Sequence, residues 1–389
     1  MYKIAVIFES SPYNRKGLFN SVHERIKALI ATGRCSVDAY CIHSRDNAFT
    51  RHVRHTPVTP SEDICKVDEV SYRMLWYRFS ILDHFTVEKF HRPPLIFSAC
   101  VRRWVSSLKG YDILIAHSFT GALLAYEYNL KTGCPYIVNW HGSDIHTHPW
   151  RNPLVMEHTR KVLKNAALNF FVSRTLLDAS DRILTGVRKD VIYNGVSDAF
   201  EKYGQDRLKE VRERYGVAGN DKVVAFAGTL APVKNVLRLR EIFKEVSRRY
   251  SGKLVFWIVG DGKLGGRLKE DFRNSDLDVV FWGNLPTSEM PSVMNCIDVL
   301  VLPSLNEGFP LVCTEALRCG ANVVGSAAGG IPEAIGKENT VPFGEGFIDE
   351  FACKVVKYLE SPVPQGMSGT HSWREAGEKE LAGIEEILG

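Results

Sequence analysis

The sequence predicts an α/β chain of two successive doubly wound domains whose parallel sheets face each other across a cleft. Three observations predict it. Apolar runs of strand length alternate with helical stretches through both halves of the chain, as in parallel sheets covered on both faces. A length of 389 residues suits two domains. The charge also changes sign at the middle: residues 1–195 hold 26 Lys and Arg against 17 Asp and Glu, a net of +9, and the remainder holds 23 against 28, a net of −5. Of the 12 histidines, 11 lie in the basic half, whose charge suits anionic lipids, phosphates or nucleic acid. Hydrophobic content of 45% and charged content of 24% are those of an ordinary globular chain.

In chain order, the opening residues Met1–Phe8 lead into charge rather than a cleavage site, so Lys3–Phe8 reads as the first strand. No apolar run approaches the roughly 18 residues that span a bilayer. The 9 cysteines are scattered without a Cys-x-x-Cys pair, which argues against disulfide and zinc frameworks and for a reducing cytoplasm. Further strands are expected at Ser36–Ile42, Ile113–His117, Tyr136–Trp140, Leu168–Val172 and Val191–Tyr193. None carries a helix-turn-helix, an RNA-binding aromatic strand or a zinc finger, so no nucleic-acid partner is expected. Lys16-Gly17-Leu18-Phe19 follows the first strand, ahead of a helix expected from about Asn20. Gly17 there either admits an anionic ligand to the backbone or is a plain helix entry. Between Tyr72 and Trp104, aromatics interleave with cations (Arg73, Trp76, Tyr77, Arg78, Phe79, Lys89, Phe90, Arg92, Arg102, Arg103). That mixture suits either an anionic membrane surface or amphipathic helices packed on the sheet. His141-Gly142-Ser143-Asp144 follows the strand Tyr136–Trp140. His141 is read there as a site residue or a hydrogen-bonded structural one, and Asp144 as a site residue or a helix N-cap. His146 and His148 lack further metal ligands, so no metal site is expected. Asn194-Gly195-Val196 closes this half.

A charged connection, Ser197–Asp221, leads to the second unit, with strands at Val223–Ala227, Leu254–Val259, Val279–Trp282, Asp298–Leu302 and Asn322–Gly325. Lys234 falls in the loop after the first of these, six residues beyond Gly228. Gly260-Asp261-Gly262-Lys263-Leu264-Gly265 fits G-x-G-x-x-G with Asp278 downstream, a weak pointer to a dinucleotide because the strand before it is not the domain's first. Asp276-Leu277-Asp278 reads as loop. The run Pro303–Glu315 reads strand end, loop, short helix: Gly308 permits a sharp turn, Pro310 suits the first helical position, and Gly320 ends the helix. With Phe309 and Leu311 flanking that start, the amide end of the helix seats phosphate or sugar oxygens. Glu307 lies beside it, and Glu315, two turns on, can accept from a pair of ribose hydroxyls. The domains are expected at residues 1–197 and 198–371, with a terminal helix over 372–389 and ligands at the strand C-terminal ends.

Glu307, seven residues and Glu315, with Gly228-Thr229-Leu230, Lys234-Asn235 and Gly260-Asp261-Gly262 before them and Ala328-Gly329-Gly330-Ile331-Pro332-Glu333 after, run in one order over about a hundred residues. In these motifs the chain resembles the family 4 retaining nucleotide-sugar glycosyltransferases, whose GT-B fold pairs two Rossmann-like domains. The resemblance implies a hexosyltransferase type of enzyme that moves a sugar from a nucleotide diphosphate donor to an acceptor hydroxyl, with no metal and no cofactor besides that substrate. It implies that Lys234 meets the leaving diphosphate, Glu307 the sugar hydroxyls, Glu315 the ribose and His141 the hexose. Gly17, Gly228, Gly260, Gly262, Gly308, Phe309, Pro310 and Leu311 complete the implied donor site, and Trp282-Gly283-Asn284 borders the base. A glycan or lipid-linked acceptor would meet the N-terminal domain, with peripheral membrane contact there and a place in polysaccharide or glycolipid assembly at the inner face of the membrane. The terminal helix would return to the N-terminal domain. Two departures stand out: Thr229 replaces the Arg usual after Gly228, and Gly17 stands alone where Gly-Gly is common. The rival expectations are a nucleotide-sugar 2-epimerase-like isomerase, an NAD-dependent oxidoreductase resting on the Gly260 run, and a donor-binding protein without catalysis.

Overall fold

The computed structural model describes residues 1–13, 17–46, 48–54, 60, 62–91, 97–361 and 371–389. They form two compact units, residues 1–195 with 373–389 and residues 196–372.

The first unit is an eight-stranded sheet of order β3-β4-β2-β1-β5-β6-β7-β8. Its strands are β1 (Tyr2–Glu9), β2 (Cys35–Asp46), β3 (Ile64–Val67), β4 (Val70–Phe79), β5 (Ile113–His117), β6 (Tyr136–Trp140), β7 (Leu168–Phe171) and β8 (Lys189–Val191). All pairings are parallel except the β3–β4 hairpin. Continuous apolar sequence explains the centre: Ile4 to Phe8 and Ile113 to Ala116 are wholly buried, as strands covered on both faces must be. β8 both starts and ends two residues earlier than the expected Val191–Tyr193, and just beyond it the Ile192 carbonyl accepts from the Arg25 guanidinium at 3.0 Å.

The Tyr72–Trp104 stretch is a strand followed by the helices Ile81–Phe90 and Phe97–Ser107, with Arg92 outside the described residues. Its rings are mostly core. Tyr72, Trp76, Tyr77, Phe79 and Trp104 are all less than a tenth exposed, and Tyr77, Phe97 and Trp104 pack edge to face. Although Ser71, Arg73 and Arg78 of the strand are exposed, these five rings are buried and offer nothing to a membrane.

Helix Trp373–Leu388 packs on helix Gly17–Ala31, which begins three residues before the expected start. Between them lies a wholly buried polar cluster. Arg25 donates to Asn139 at 2.8 Å, Asn139 donates to Glu380 at 2.6 Å, and the Arg25 and Glu380 charges stand 3.9 Å apart.

The two-residue β9 (Gly195–Val196) lies at the boundary between the units. The second unit holds β10 (Lys222–Ala227), β11 (Leu254–Val259), β12 (Val279–Gly283), β13 (Val299–Leu302), β14 (Asn322–Ser326) and β15 (Thr340–Val341), all parallel, in the order β12-β11-β10-β13-β14-β15. The order reverses between β10 and β13, and ligands of open α/β sheets bind at such a switch point.

Candidate functional site

The loops that leave β10 and β13 carry the charges. After β10 the backbone makes two tight turns, Pro232–Lys234 and Val236–Arg238, hinged on Asn235 at φ 53°. After β13, the Leu305 amide donates to the Val233 carbonyl at 2.8 Å and ties the two loops together. This brings the Lys234 Nζ to 2.5 Å from Glu307 Oε1, with the two side chains 22% and 12% exposed. A third loop, after β14, supports the second: the Gly330 amide donates to the Glu307 carbonyl at 2.9 Å. At Gly329, φ is 53° and a Cβ would fall 2.2 Å from that same carbonyl, so no larger residue fits.

The helix beside Glu307 runs Leu311–Arg318. Pro310 is its N-cap, one position earlier than expected, in an extended conformation and without a side-chain cap bond. Its first amides therefore carry the positive end of the helix uncapped by any side chain. The far end closes as a Schellman turn: Gly320 at φ 91° donates to Leu317, and Ala321 donates to Ala316. Phe309 and Pro310 are buried, so near the helix start they offer backbone rather than side chain, while Gly308 and Leu311 are partly exposed. Ser304 Oγ and Asn306 Oδ1, buried in the same loop, have no hydrogen-bond partner among the described residues. Glu315 lies on the helix with no partner for its carboxylate among the described residues, and enclosure by the protein pushes its carboxyl up to about 7.

The glycine run after β11 has a packing explanation. A Cβ on Gly260 would lie 2.1 Å from the Gly228 carbonyl, and one on Gly262 would lie 2.5 Å from the Leu230 carbonyl. These glycines let two loops cross, which removes the motif's weight as a dinucleotide fingerprint. Thr229 is exposed, and the nearby Arg238 guanidinium pairs with Glu241 at 2.6 Å. A cavity of 750 Å³ beside these loops is walled by residues that include Asn235, Arg238, Leu305 and Phe343, but by neither Lys234 nor Glu307.

Gly17 and His141 belong to the other unit. Gly17 opens its helix, and a Cβ there would meet nothing within 4 Å, so packing does not require the glycine. Lys16 lies outside the described residues. His141 stands one residue beyond β6, in a turn built by Asp144, whose carboxylate accepts from the His141 amide at 3.1 Å and the Gly142 amide at 2.8 Å. Asp144 is therefore a buried turn-builder inside helix Ser143–His146 rather than that helix's N-cap.

Sequence reasoning missed the neighbour of His141. His117, at the end of β5 and 1% exposed, places Nδ1 2.9 Å from His141 Nε2. Burial and the Arg25 guanidinium push the His141 imidazole down to about 3, and burial with the facing ring holds His117 well below the usual histidine range. Both rings are neutral at neutral pH. Among the described residues no group of three His, Cys, Asp or Glu side chains could hold a metal ion, and no helix is long and apolar enough to cross a membrane.

Known proteins align over nearly the whole chain. A family model described as glycosyl transferases group 1 matches residues 208–380, and one described as glycosyl transferase 4-like domain matches residues 20–195. The chain is 26% identical over 251 residues to 2-deoxystreptamine glucosyltransferase of Streptomyces kanamyceticus, covering 60% of this chain and 63% of that protein. It is 26% identical over 288 residues to D-inositol 3-phosphate glycosyltransferase of Mycobacterium ulcerans, covering 62% and 60%. The chain thus spans less than two thirds of the length of these relatives. Among solved structures, Anabaena HepE in complex with UDP and glucose superposes with a TM-score of 0.68 at 18% identity, over 99% of this chain and 97% of that one. A UDP-forming α,α-trehalose-phosphate synthase from Burkholderia xenovorans gives a TM-score of 0.72 at 11% identity, over 98% and 100%. The shared fold is GT-B, two Rossmann-like domains.

Proposed function

The chain belongs to the family 4 glycosyltransferases, and from that membership we propose that it moves a hexose-type sugar from a nucleotide diphosphate sugar to an acceptor hydroxyl with retention of configuration. One observation carries the proposal: an ammonium and a carboxylate meet at 2.5 Å at the sheet's switch point, beside a helix end without a side-chain cap. Paired with each other when no substrate is bound, the two groups separate on donor binding. Lys234 and the helix end then stabilise the charge that develops on the leaving diphosphate, so no metal is needed for that step. Glu307 holds sugar hydroxyls, as do the partnerless Ser304 and Asn306 side chains; Glu315 accepts from the ribose, and His141 contacts the hexose. The acceptor attacks the face from which the diphosphate departs. Two of the similar structures support a nucleotide-sugar donor, since one was solved with UDP and glucose and the other is of an enzyme that forms UDP.

The acceptor we assign is a glycan or a lipid-linked sugar, in polysaccharide or glycolipid assembly at the cytoplasmic side of a membrane. Membrane contact falls on helix Ile81–Phe90, where Leu82, Phe85 and Phe90 are 63%, 57% and 53% exposed on the basic half of the chain. Incubation with UDP-, GDP- and ADP-sugars, with and without lipid acceptors, tests the proposal by nucleotide release and by the anomeric configuration of the product. Silence across all donors rejects it, and sugar isomerised without any acceptor points to an epimerase instead.

A further inference from the structure

β5 and β6 are neighbours in register, His117 opposite Asn139, so each strand delivers a histidine to the same edge of the sheet. The ring centroids are 5.2 Å apart. The corner that holds His117 is tightly determined. Ser118, the next residue, is forced to φ 63°, and its hydroxyl is buried without a partner among the described residues. Three residues on, a Cβ at Gly121 would stand 2.4 Å from the Ile7 carbonyl, so the helix Ser118–Thr132 lies hard against β1. A non-glycine residue in the left-handed region persists only where its surroundings impose it, and such strain gathers at functional sites.

We propose that His117 is a positioning residue, whose Nδ1 fixes the ring plane and the tautomer of His141 so that His141 offers one defined nitrogen, Nδ1, to the donor sugar. The inference rests on the reading of His141 as a donor-sugar contact. Its logic is that of a shared proton. An N–H···N bond between neutral imidazoles needs one protonated and one bare nitrogen, so the two tautomers are locked together. With the proton on His117 Nδ1, His141 accepts through Nε2 and carries its own proton on Nδ1, ready to donate to a hydroxyl. With the proton on His141 Nε2, His141 Nδ1 is a bare acceptor. Either way Nε2 is engaged, and the ring that holds the shared proton sets the state of His141 Nδ1. Outer partners that orient a ligating or catalytic histidine in this manner change activity by roughly tenfold to a hundredfold when removed.

The test is a long-range proton–nitrogen spectrum of protein isotope-labelled at its histidine nitrogens, near neutral pH, with the His141 signals assigned by their loss in His141→Asn. The wild type and His117→Asn, whose amide reaches the place of Nδ1, show His141 as one tautomer; His117→Phe shows the averaged pattern of an exchanging mixture. An unchanged His141 pattern in a folded His117→Phe overturns the proposal. Turnover of UDP-glucose, followed by UDP release, adds a readout that a purely structural role would not move. His117→Phe lowers kcat by about tenfold or more with little change in KM, His117→Asn recovers most of it, and in a His141→Ala background His117→Phe adds no further loss. An equal loss in both backgrounds contradicts positioning. If His141→Ala alone leaves turnover intact, the donor-sugar reading of His141 fails, and the spectra still judge the pairing.

Discussion

Lys234 and Glu307 neutralise each other across 2.5 Å, so each holds the other in place for a ligand that must part them. Lys234→Ala removes the ammonium we propose to face the departing diphosphate, and nucleotide release should fall by about 10²–10³-fold, the usual loss for one preorganised charge-stabilising donor. Steady-state turnover of a folded variant decides the point. Glu315 gives a prediction with a sign. Its carboxyl is held up to about 7 by enclosure, and on the proposed ribose contact hydroxyls donate to the ionised form, so binding must expel a proton whenever the group starts protonated. Donor affinity therefore rises with pH through that value, by roughly tenfold from one unit below to one unit above, the change in ionised fraction. Calorimetric titration across the window should show the rise in the wild type and its absence in Glu315→Gln. That Lys234 and Glu307 lie in loops at strand ends, and Glu315 on the helix that follows, was legible because apolar runs and turn residues mark those ends. His117 was not, since its partner lies 24 residues away and only strand register unites them. Ser304 and Asn306 are ordinary loop residues in sequence, and their interest arises only from burial without a partner.

Among the elements, the loops at Gly228 and Gly260 are held by a backbone crossing, with Gly260 at φ 125°. Gly260→Ala should destabilise the second unit by about 2–4 kcal/mol, combining left-handed strain with a backbone clash, as read by denaturant unfolding. The parallel strands were readable because burial on both faces demands unbroken apolar runs. The β3–β4 hairpin was not. In Val70–Phe79 exposed Ser71, Arg73 and Arg78 interrupt the buried rings, a composition that a helix shares, and only the helix above and β2 beside it settle the matter. The two-residue β15 was too short to leave a pattern. A further element-level prediction concerns helix Trp373–Leu388. Glu380→Ala strands the wholly buried Arg25 charge and should cost about 3–5 kcal/mol, whereas replacing both partners by Met and Leu should restore most of the loss. Chemical denaturation of the wild type and the two variants measures both outcomes.

At the scale of the molecule, the first unit is discontinuous in sequence: residues 373–389 complete the fold that residues 1–195 begin. Charge divides along nearly the same line, +9 over residues 1–195 and −5 beyond. The basic unit should therefore bind anionic vesicles more weakly as salt rises, and Ser substitutions at Leu82, Phe85 and Phe90 should abolish what remains, as vesicle flotation would show. What sequence could not reveal at this scale was the acceptor, since nothing in the loops of the first unit names one. The central claim is that the loops at the β10–β13 switch point grip an activated sugar through Lys234 and Glu307. Its most direct measurement is calorimetric titration of UDP-, GDP- and ADP-sugars into the wild type and into Lys234→Ala. The account predicts saturable binding of one donor class that weakens by roughly tenfold or more in the variant. No binding of any donor, or binding indifferent to Lys234, would contradict it.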